Sequence, residues 1–271
     1  MPPEPSLQDR NFDDLADRFT RNIYGGLKGQ IRLAVLARDF GEYLPIAPYV
    51  PLTPNNQLRI LDAGGGQGQF SLPLAAAGHR LVLCDISAKM LAQAQQRVAE
   101  LQAEPRVQLL HCAAQQLAEH LPPEQQSFDL IICHALIEWV AQPLALLDTL
   151  LARLRPGGHL SLIFYNQHGL VYKNLLRTNY KKIKNLDYRA FRGSLTPSKP
   201  QTPEALLAYA HSRDLQVKCH SGIRVFYDYI LDPEQRARDA QSVLELELKF
   251  SRQLPYRDLG RYIHLLLQKP L

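Results

Sequence analysis

The sequence predicts an α/β fold built on a doubly wound, mostly parallel sheet, and three features predict it. From Leu58 onward, strand-like apolar runs alternate with helix-like stretches, the pattern of a parallel sheet covered on both faces. The first run, Leu58-Arg59-Ile60-Leu61-Asp62, enters the turn Ala63-Gly64-Gly65-Gly66-Gln67-Gly68, where a backbone without Cβ atoms lets a ligand come close. The second run, Leu81-Val82-Leu83-Cys84, delivers Asp85 nineteen residues after Gly66, where such folds set a carboxylate against the hydroxyls of a ribose.

The elements follow in order. Residues 1–7 are expected to be a disordered tail. Asn11-Phe12-Asp13-Asp14 predicts a helix start, with Asn11 as N-cap and acids facing the positive end of the helix dipole, running to about 20. Ile31, Val35 and Leu36 predict a second helix that ends before Pro45. Together, residues 8–57 are expected to form a helical lid hinged at Gly25-Gly26. Strands are expected near 58–62, 80–84, 107–112, 128–133 and 159–165. Helices are expected near 68–77, 88–101 and 143–154, with Ser87 capping the second and Arg155-Pro156-Gly157-Gly158 stopping the last. A basic insert at 166–200 leaves the cofactor-binding core, 58–165. Residues 201–271 then complete a single domain with a helix opened by Thr202-Pro203-Glu204, a strand at 215–220, one helix from 232 to about 250, and a last strand at 262–268.

With 271 residues, 46% hydrophobic and 21% charged, the chain can bury one large core. The richest apolar stretch, 130–150, is broken by His134, Glu138, Gln142, Pro143 and Asp148, so no membrane span is expected. The N-terminus has no basic region followed by an apolar one, and a cytoplasmic location is the expectation. Cys84, Cys112, Cys133 and Cys219 sit in strand-like contexts without C-x-x-C spacing, which reads as buried thiols and no metal site.

Charge is unevenly placed: residues 1–164 carry a net −3 and residues 165–271 a net +8. Over 173–199, Lys173, Arg177, Lys181, Lys182, Lys184, Arg189, Arg192 and Lys199 face one acid, Asp187. That is an electrostatic footprint for a polyanion, with Lys173, Arg177, Lys181, Lys182 and Lys184 as candidate RNA contacts; a solvated basic loop is the plainer alternative. Tyr172, Tyr180, Tyr188 and Phe191 lie between these cations, placed to stack on unpaired bases or to anchor the insert.

A nicotinamide dinucleotide site needs G-x-G-x-x-G, and its third glycine is replaced here by Gln69 or Ser71, depending on the starting glycine. The pattern present is an acid, Asp62, two residues before Gly64-x-Gly66-x-Gly68. This is the mark of class I methyltransferases, whose cofactor is S-adenosyl-L-methionine.

Further segments extend the likeness over nearly the whole chain. They are Gln8-Asp9-Arg10-Asn11-Phe12-Asp13-Asp14, Arg21-Asn22-Ile23-Tyr24-Gly25, Lys28-Gly29-Gln30-Ile31-Arg32, His111-Cys112-Ala113-Ala114-Gln115, His134-Ala135-Leu136-Ile137-Glu138-Trp139-Val140, Phe164-Tyr165-Asn166-Gln167-His168-Gly169 and Gly260-Arg261-Tyr262-Ile263-His264. On them the chain resembles the tRNA 5-carboxymethoxyuridine methyltransferases, which esterify a modified wobble uridine. It departs at Gln67, where the family often has Glu, and in its Pro-rich N-terminus.

The resemblance implies a Rossmann-like class I fold, tRNA as substrate, no membrane and no obligate protein partner. It also implies cofactor contacts from Arg32, Gly64, Gly65, Asp85, Ala114, Gln115 and His134. For Gln115 a surface role, and for His134 a buried structural histidine, are the alternatives. A carboxylate nucleophile is already ionised at neutral pH, so no general base is expected. The site should instead hold the substrate carboxylate, with Arg224 as first candidate and Tyr165, Asn166 and His168 next; a structural ion pair with Asp228 is the other reading of Arg224. Two other functions fit parts of the sequence: a methyltransferase for a small-molecule carboxylic acid, and a non-catalytic RNA-binding module with a structural cofactor.

Overall fold

The computed structural model describes residues 9–11, 13, 26–46, 48–185, 197 and 199–271. Helix α1 (Leu27–Tyr43) precedes β1 (Arg59–Ala63), α2 (Leu72–Ala76), β2 (Arg80–Asp85), α3 (Ala88–Glu100), β3 (Val107–His111) and β4 (Phe128–His134). Then come α4 (Pro143–Arg153), β5 (Leu154–Tyr165), α5 (Gln167–Leu176) and α6 (Tyr180–Lys184). The chain closes with α7 (Pro203–His211), β6 (Gln216–Ile223), α8 (Pro233–Ala237), α9 (Ala240–Phe250) and β7 (Tyr262–Gln268).

The strands form one seven-stranded sheet in the order β3-β2-β1-β4-β5-β7-β6. Strands β1 to β5 pair in parallel, and β7 runs antiparallel to both β5 and β6. Strand order reverses between β1 and β4, the place where doubly wound sheets bind ligands at the carboxyl ends of their strands. Central strands are apolar on both sides because both faces are covered. Leu61, Ile131, Leu162 and Leu265 pack into one core, while Ile60, Leu130, Ile132, Ile163 and Leu266 pack into the other.

The predicted caps form where the sequence puts them. Ser87 Oγ accepts from Met90 N–H at 3.2 Å, and Thr202 Oγ1 accepts from Ala205 N–H at 3.3 Å, with Pro203 opening α7. The helix expected from Asn11 lies outside the described residues except for Asn11 and Asp13, where Asn11 Oδ1 accepts from Asp13 N–H at 2.8 Å. Gly25, Tyr188, Arg189, Phe191 and Arg192 also lie outside them.

Several expectations are corrected. Helix α2 is shorter than 68–77, because Gly68 at φ +67° prolongs the glycine turn. The single helix expected over 232–250 is two, since Asp232 caps α8 and Asp239 Oδ1 accepts from Ser242 N–H at 2.9 Å to cap a fresh start at α9. Arg155-Pro156-Gly157-Gly158 lies inside β5 after the helix has ended. There the partner register jumps from Phe128↔Leu154 to Leu130↔His159, so the extra residues bulge. Within the predicted lid, α1 is a core helix: Ile31, Val35, Leu36 and Phe40 are completely buried. All four cysteines are free and buried, and no helix among the described residues is long and apolar enough to cross a membrane.

Candidate active site

The carboxyl ends of β1, β2 and β4 and the loop after β3 open into one cleft. Its floor is the glycine turn. Gly64 has φ +65°, and a Cβ there would lie 2.7 Å from the Leu136 side chain, so the position requires glycine. At Gly65 a Cβ would meet Asp62 Cγ at 2.6 Å. The turn is therefore pressed against the acid that precedes it, and burial raises the Asp62 pKa to about 7.

At the end of β2, Asp85 is locked from both sides. Its Oδ2 accepts from Gly66 N–H and its Oδ1 from Ser87 N–H, each at 2.8 Å. Burial raises its pKa while these two amides oppose the rise. Each oxygen keeps a further lone pair for a ligand hydroxyl. Apolar walls come from Phe70, Ile86, Met90, Leu136 and Val140.

All seven residues expected to hold the cofactor, Arg32, Gly64, Gly65, Asp85, Ala114, Gln115 and His134, line this cleft. They fit an adenosine joined to a charged amino acid: an oriented carboxylate at Asp85, a guanidinium at Arg32 and a Cβ-free turn. Gln115 is exposed, and its side-chain amide donates to Asp9 Oδ2 at 2.9 Å. Burial, with the positive charge of Arg32, holds the His134 pKa well below its usual value, so its ring is neutral.

Residues 9–11 and 13 strap the cleft, a feature that periodicity does not reveal. Asp9 Oδ1 accepts from Ala141 N–H at 2.8 Å, Arg10 N–H donates to Trp139 O at 3.1 Å, and Asn11 Nδ2 donates to Ile86 O at 3.0 Å. Ser87 Oγ–H donates to Asp13 Oδ1 at 2.7 Å. The strap thus runs from the loop after β4 to the loop after β2, and Asp9 and Arg10 line the cleft.

Beside the cleft lies a buried cationic cluster around two tyrosines. The Tyr262 ring has the Arg32 guanidinium 4.6 Å and the Arg224 guanidinium 5.4 Å from its centre, and it packs edge-on to Tyr165 at 5.4 Å. Arg261 sits 4.7 Å over Tyr165. Arg32 therefore belongs to both the cleft and this cluster. Tyr165 Oη and Arg261 Nη1 are buried without a hydrogen-bond partner among the described residues, two donors left unsatisfied.

Arg224 has φ +61°, and its loop is held by Glu247, whose carboxylate accepts from Val225, Phe226 and Tyr227 N–H at 2.7, 3.0 and 2.7 Å. Its Nε lies 3.1 Å from Asp228 Oδ2, so the ion pair read as the alternative for Arg224 is present. Lys173 Nζ donates to Asp228 Oδ1 at 3.0 Å. Burial works to raise the Asp228 pKa, but Arg224, Lys173 and Arg261 outweigh it and hold it well below the usual carboxylate range.

A model of the methyltransferase domain family matches residues 60–158. The chain is 42% identical over 264 residues to the tRNA 5-carboxymethoxyuridine methyltransferase of Escherichia coli strain K12, covering 97% of this chain and 98% of that protein. The chain belongs to the tRNA 5-carboxymethoxyuridine methyltransferase family. By contrast, similarity to the demethylmenaquinone methyltransferase of Clavibacter sepedonicus, 36% identical, spans 102 residues and 38% of this chain. Among solved structures, the magnesium protoporphyrin IX methyltransferase of Synechocystis PCC 6803 aligns with a TM-score of 0.57 at 18% identity, covering 95% of each chain. The fold is that of the class I enzymes, and this family member is an S-adenosylmethionine-dependent methyltransferase.

In this methyltransferase the other candidates are dispersed. Asn166 is buried, caps α5, and donates from Nδ2 to Asp258 O and Gly260 O at 2.8 Å each, so its polar atoms are committed to the fold. His168 faces Glu204 at 3.5 Å. Lys173 joins the cationic cluster through Asp228, whereas Arg177, Lys181, Lys182 and Lys184 are exposed at the end of α5 and along α6. None of Arg224, Tyr165, Asn166 and His168 lines the cofactor cleft itself.

Proposed function

We propose that this enzyme methylates the carboxylate of 5-carboxymethoxyuridine at the tRNA wobble position, giving the methyl ester. The observation that carries the reading is the cationic cluster set against the cofactor cleft, with Arg32 and Arg224 both packed on the Tyr262 ring. Its unsatisfied donors, Tyr165 Oη and Arg261 Nη1, suit an oxyanion. The Escherichia coli relative, similar along its whole length, carries that activity in its name.

Bound S-adenosylmethionine supplies an electrophilic methyl group on a positively charged sulfur. The chain's own task is placement. A carboxylate has a reference pKa of about 4 and arrives ionised, so no residue has to remove a proton. Holding the nucleophile against its target in the right geometry is worth up to roughly 7–11 kcal/mol in favourable systems. Arg224 and Arg261 are the groups that would hold the substrate carboxylate, Tyr165 would donate to it, and the strap and the apolar walls would exclude water.

Exposed Arg177, Lys181, Lys182 and Lys184 add positive charge beyond the buried cluster, as a substrate with a phosphate backbone requires. Replacing Lys181, Lys182 and Lys184 together by Ala is expected to weaken tRNA binding and to lower the salt dependence, d log K/d log [salt], by about one unit for each lost phosphate contact. Filter binding from 50 to 300 mM salt measures this. An unchanged slope, with turnover on a free carboxylic acid that ignores salt, would favour a small-molecule substrate.

A further inference from the structure

We propose that a buried chain of hydrogen bonds, Asp39–His264–Ser161, fixes the tautomer of His134 at the wall of the cofactor cleft. This makes Asp39, His264 and Ser161 positioning residues for methyl transfer. Three of its members are far from the cleft in sequence and are completely buried: Asp39 on α1, Ser161 on β5 and His264 on β7. The chain runs across the sheet. His264 Nδ1 is 2.8 Å from Asp39 Oδ2, His264 Nε2 is 3.0 Å from Ser161 Oγ, and Ser161 Oγ is 2.7 Å from His134 Nε2.

The direction of every bond follows from the far end. Asp39 Oδ1 accepts from Arg38 Nη2 at 2.8 Å and Arg252 Nη2 at 2.6 Å, and the hydrogen bond from His264, together with Arg38, holds the carboxylate ionised against the cost of burial. An ionised carboxylate only accepts, so His264 Nδ1 carries the proton. With that one proton on its ring, His264 would have a bare Nε2 to accept from Ser161 Oγ–H. The Ser161 oxygen in turn accepts from His134 Nε2–H. His134 is left with a proton on Nε2 and a lone pair on Nδ1.

The tautomer matters because of what the cleft receives. A cofactor that carries positive charge is repelled by an imidazolium and tolerated by a neutral ring whose N–H points into the protein. Asp39, His264 and Cys219 also lie within 4.8 Å of one another, but two guanidiniums already occupy Asp39, which suits a relay better than a cation site. The charged and titratable groups around the relay are Arg32 and Arg38 on α1, Arg252 with its partner Glu42, and Cys219 on β6. Protonation of His264 would make both its nitrogens donors. The Ser161 hydroxyl would then turn toward His134 and force the opposite tautomer there.

The direct test is histidine ¹⁵N NMR of the full-length protein without cofactor at neutral pH, which needs no substrate and does not depend on the tRNA reading. His134 is expected as the neutral Nε2–H tautomer in the wild type and as a tautomer mixture in Ser161→Ala. With S-adenosylmethionine and tRNA, Ser161→Ala is expected to lower kcat about tenfold while leaving KM for tRNA within twofold, in line with the effect of removing groups that orient a functional histidine. Ser161→Thr, which keeps the hydroxyl, should restore both signals. An Nδ1–H or doubly protonated His134 in the wild type would overturn the proposal without recourse to any variant. So would a Ser161→Ala protein with an unchanged His134 spectrum and kcat.

Discussion

Asp85→Ala is expected to weaken S-adenosylmethionine binding by about 10²-fold or more. Both oxygens of this carboxylate are already positioned by backbone amides of Gly66 and Ser87, each at 2.8 Å, so the side chain meets a ribose without having to reorganise. Each hydrogen bond to a charged group contributes about 1.5–3 kcal/mol, and two lost bonds at about 1.4 kcal/mol per decade exceed two decades of affinity. The truncation also leaves the Gly66 and Ser87 amides without their acceptor at the lip of the glycine turn. Isothermal titration of cofactor into the variant measures the effect. Affinity within threefold of wild type would place the ribose elsewhere.

Asp228→Ala is expected to destabilise the fold by about 3–5 kcal/mol, the usual result of removing one partner from a buried charge cluster. Arg224 and Lys173 both bond to this carboxylate inside the protein, and Arg261 adds its charge nearby. Without the acid, these cations would remain buried and mutually repulsive. At about 2–4 °C per kcal/mol for a chain of this size, the melting temperature should fall by roughly 10 °C.

The pH dependence carries a sign. The folded pKa of Asp228 lies below its unfolded value, so its contribution is fully present above about pH 4, the unfolded reference, and is lost as pH falls toward the folded pKa. The stability gap between wild type and Asp228→Asn should therefore be constant from pH 6 to 8 and narrow below pH 4. Calorimetry at several pH values tests this, and a gap that grows on acidification would refute the assignment of Asp228 as the ionised hub.

Local signals in the sequence carried the cofactor half of this picture. The acid-glycine turn and Asp85 are read from consecutive residues, and the caps at Ser87 and Thr202 rest on side chains three positions from their partners. What stayed hidden depends on pairing across the sheet. Asp39 and His264 are 225 positions apart, and Asp9 meets Ala141 across 132. One clue was available for the relay: Asp39 lies four residues after Val35 and eight after Ile31, an acid on the buried face of an apolar helix, which demands a partner. Glu138 is similar. Its fully buried carboxyl has a pKa raised to about 8 by burial, and the apolar sequence around it shows only that it is enclosed.

The candidate substrate groups were harder to place because their side chains serve the fold first. Asn166 is a cap, and Lys173 bonds to Asp228 although its position in a basic run reads as a phosphate contact. Arg224 is both an ion-pair partner of Asp228 and a neighbour of the Tyr262 ring. The two sequence readings of that residue are thus compatible: Asp228 orients the guanidinium, which in the proposed reaction would also hold the substrate carboxylate.

Nucleoside mass spectrometry tests the central claim most directly. tRNA carrying 5-carboxymethoxyuridine is incubated with the protein and S-adenosylmethionine, with unmodified tRNA as control, and the digested nucleosides are analysed. The account predicts the methyl ester of 5-carboxymethoxyuridine in the modified tRNA and no new methylated nucleoside in the control. Absence of the ester from a protein that demonstrably binds the cofactor would contradict it.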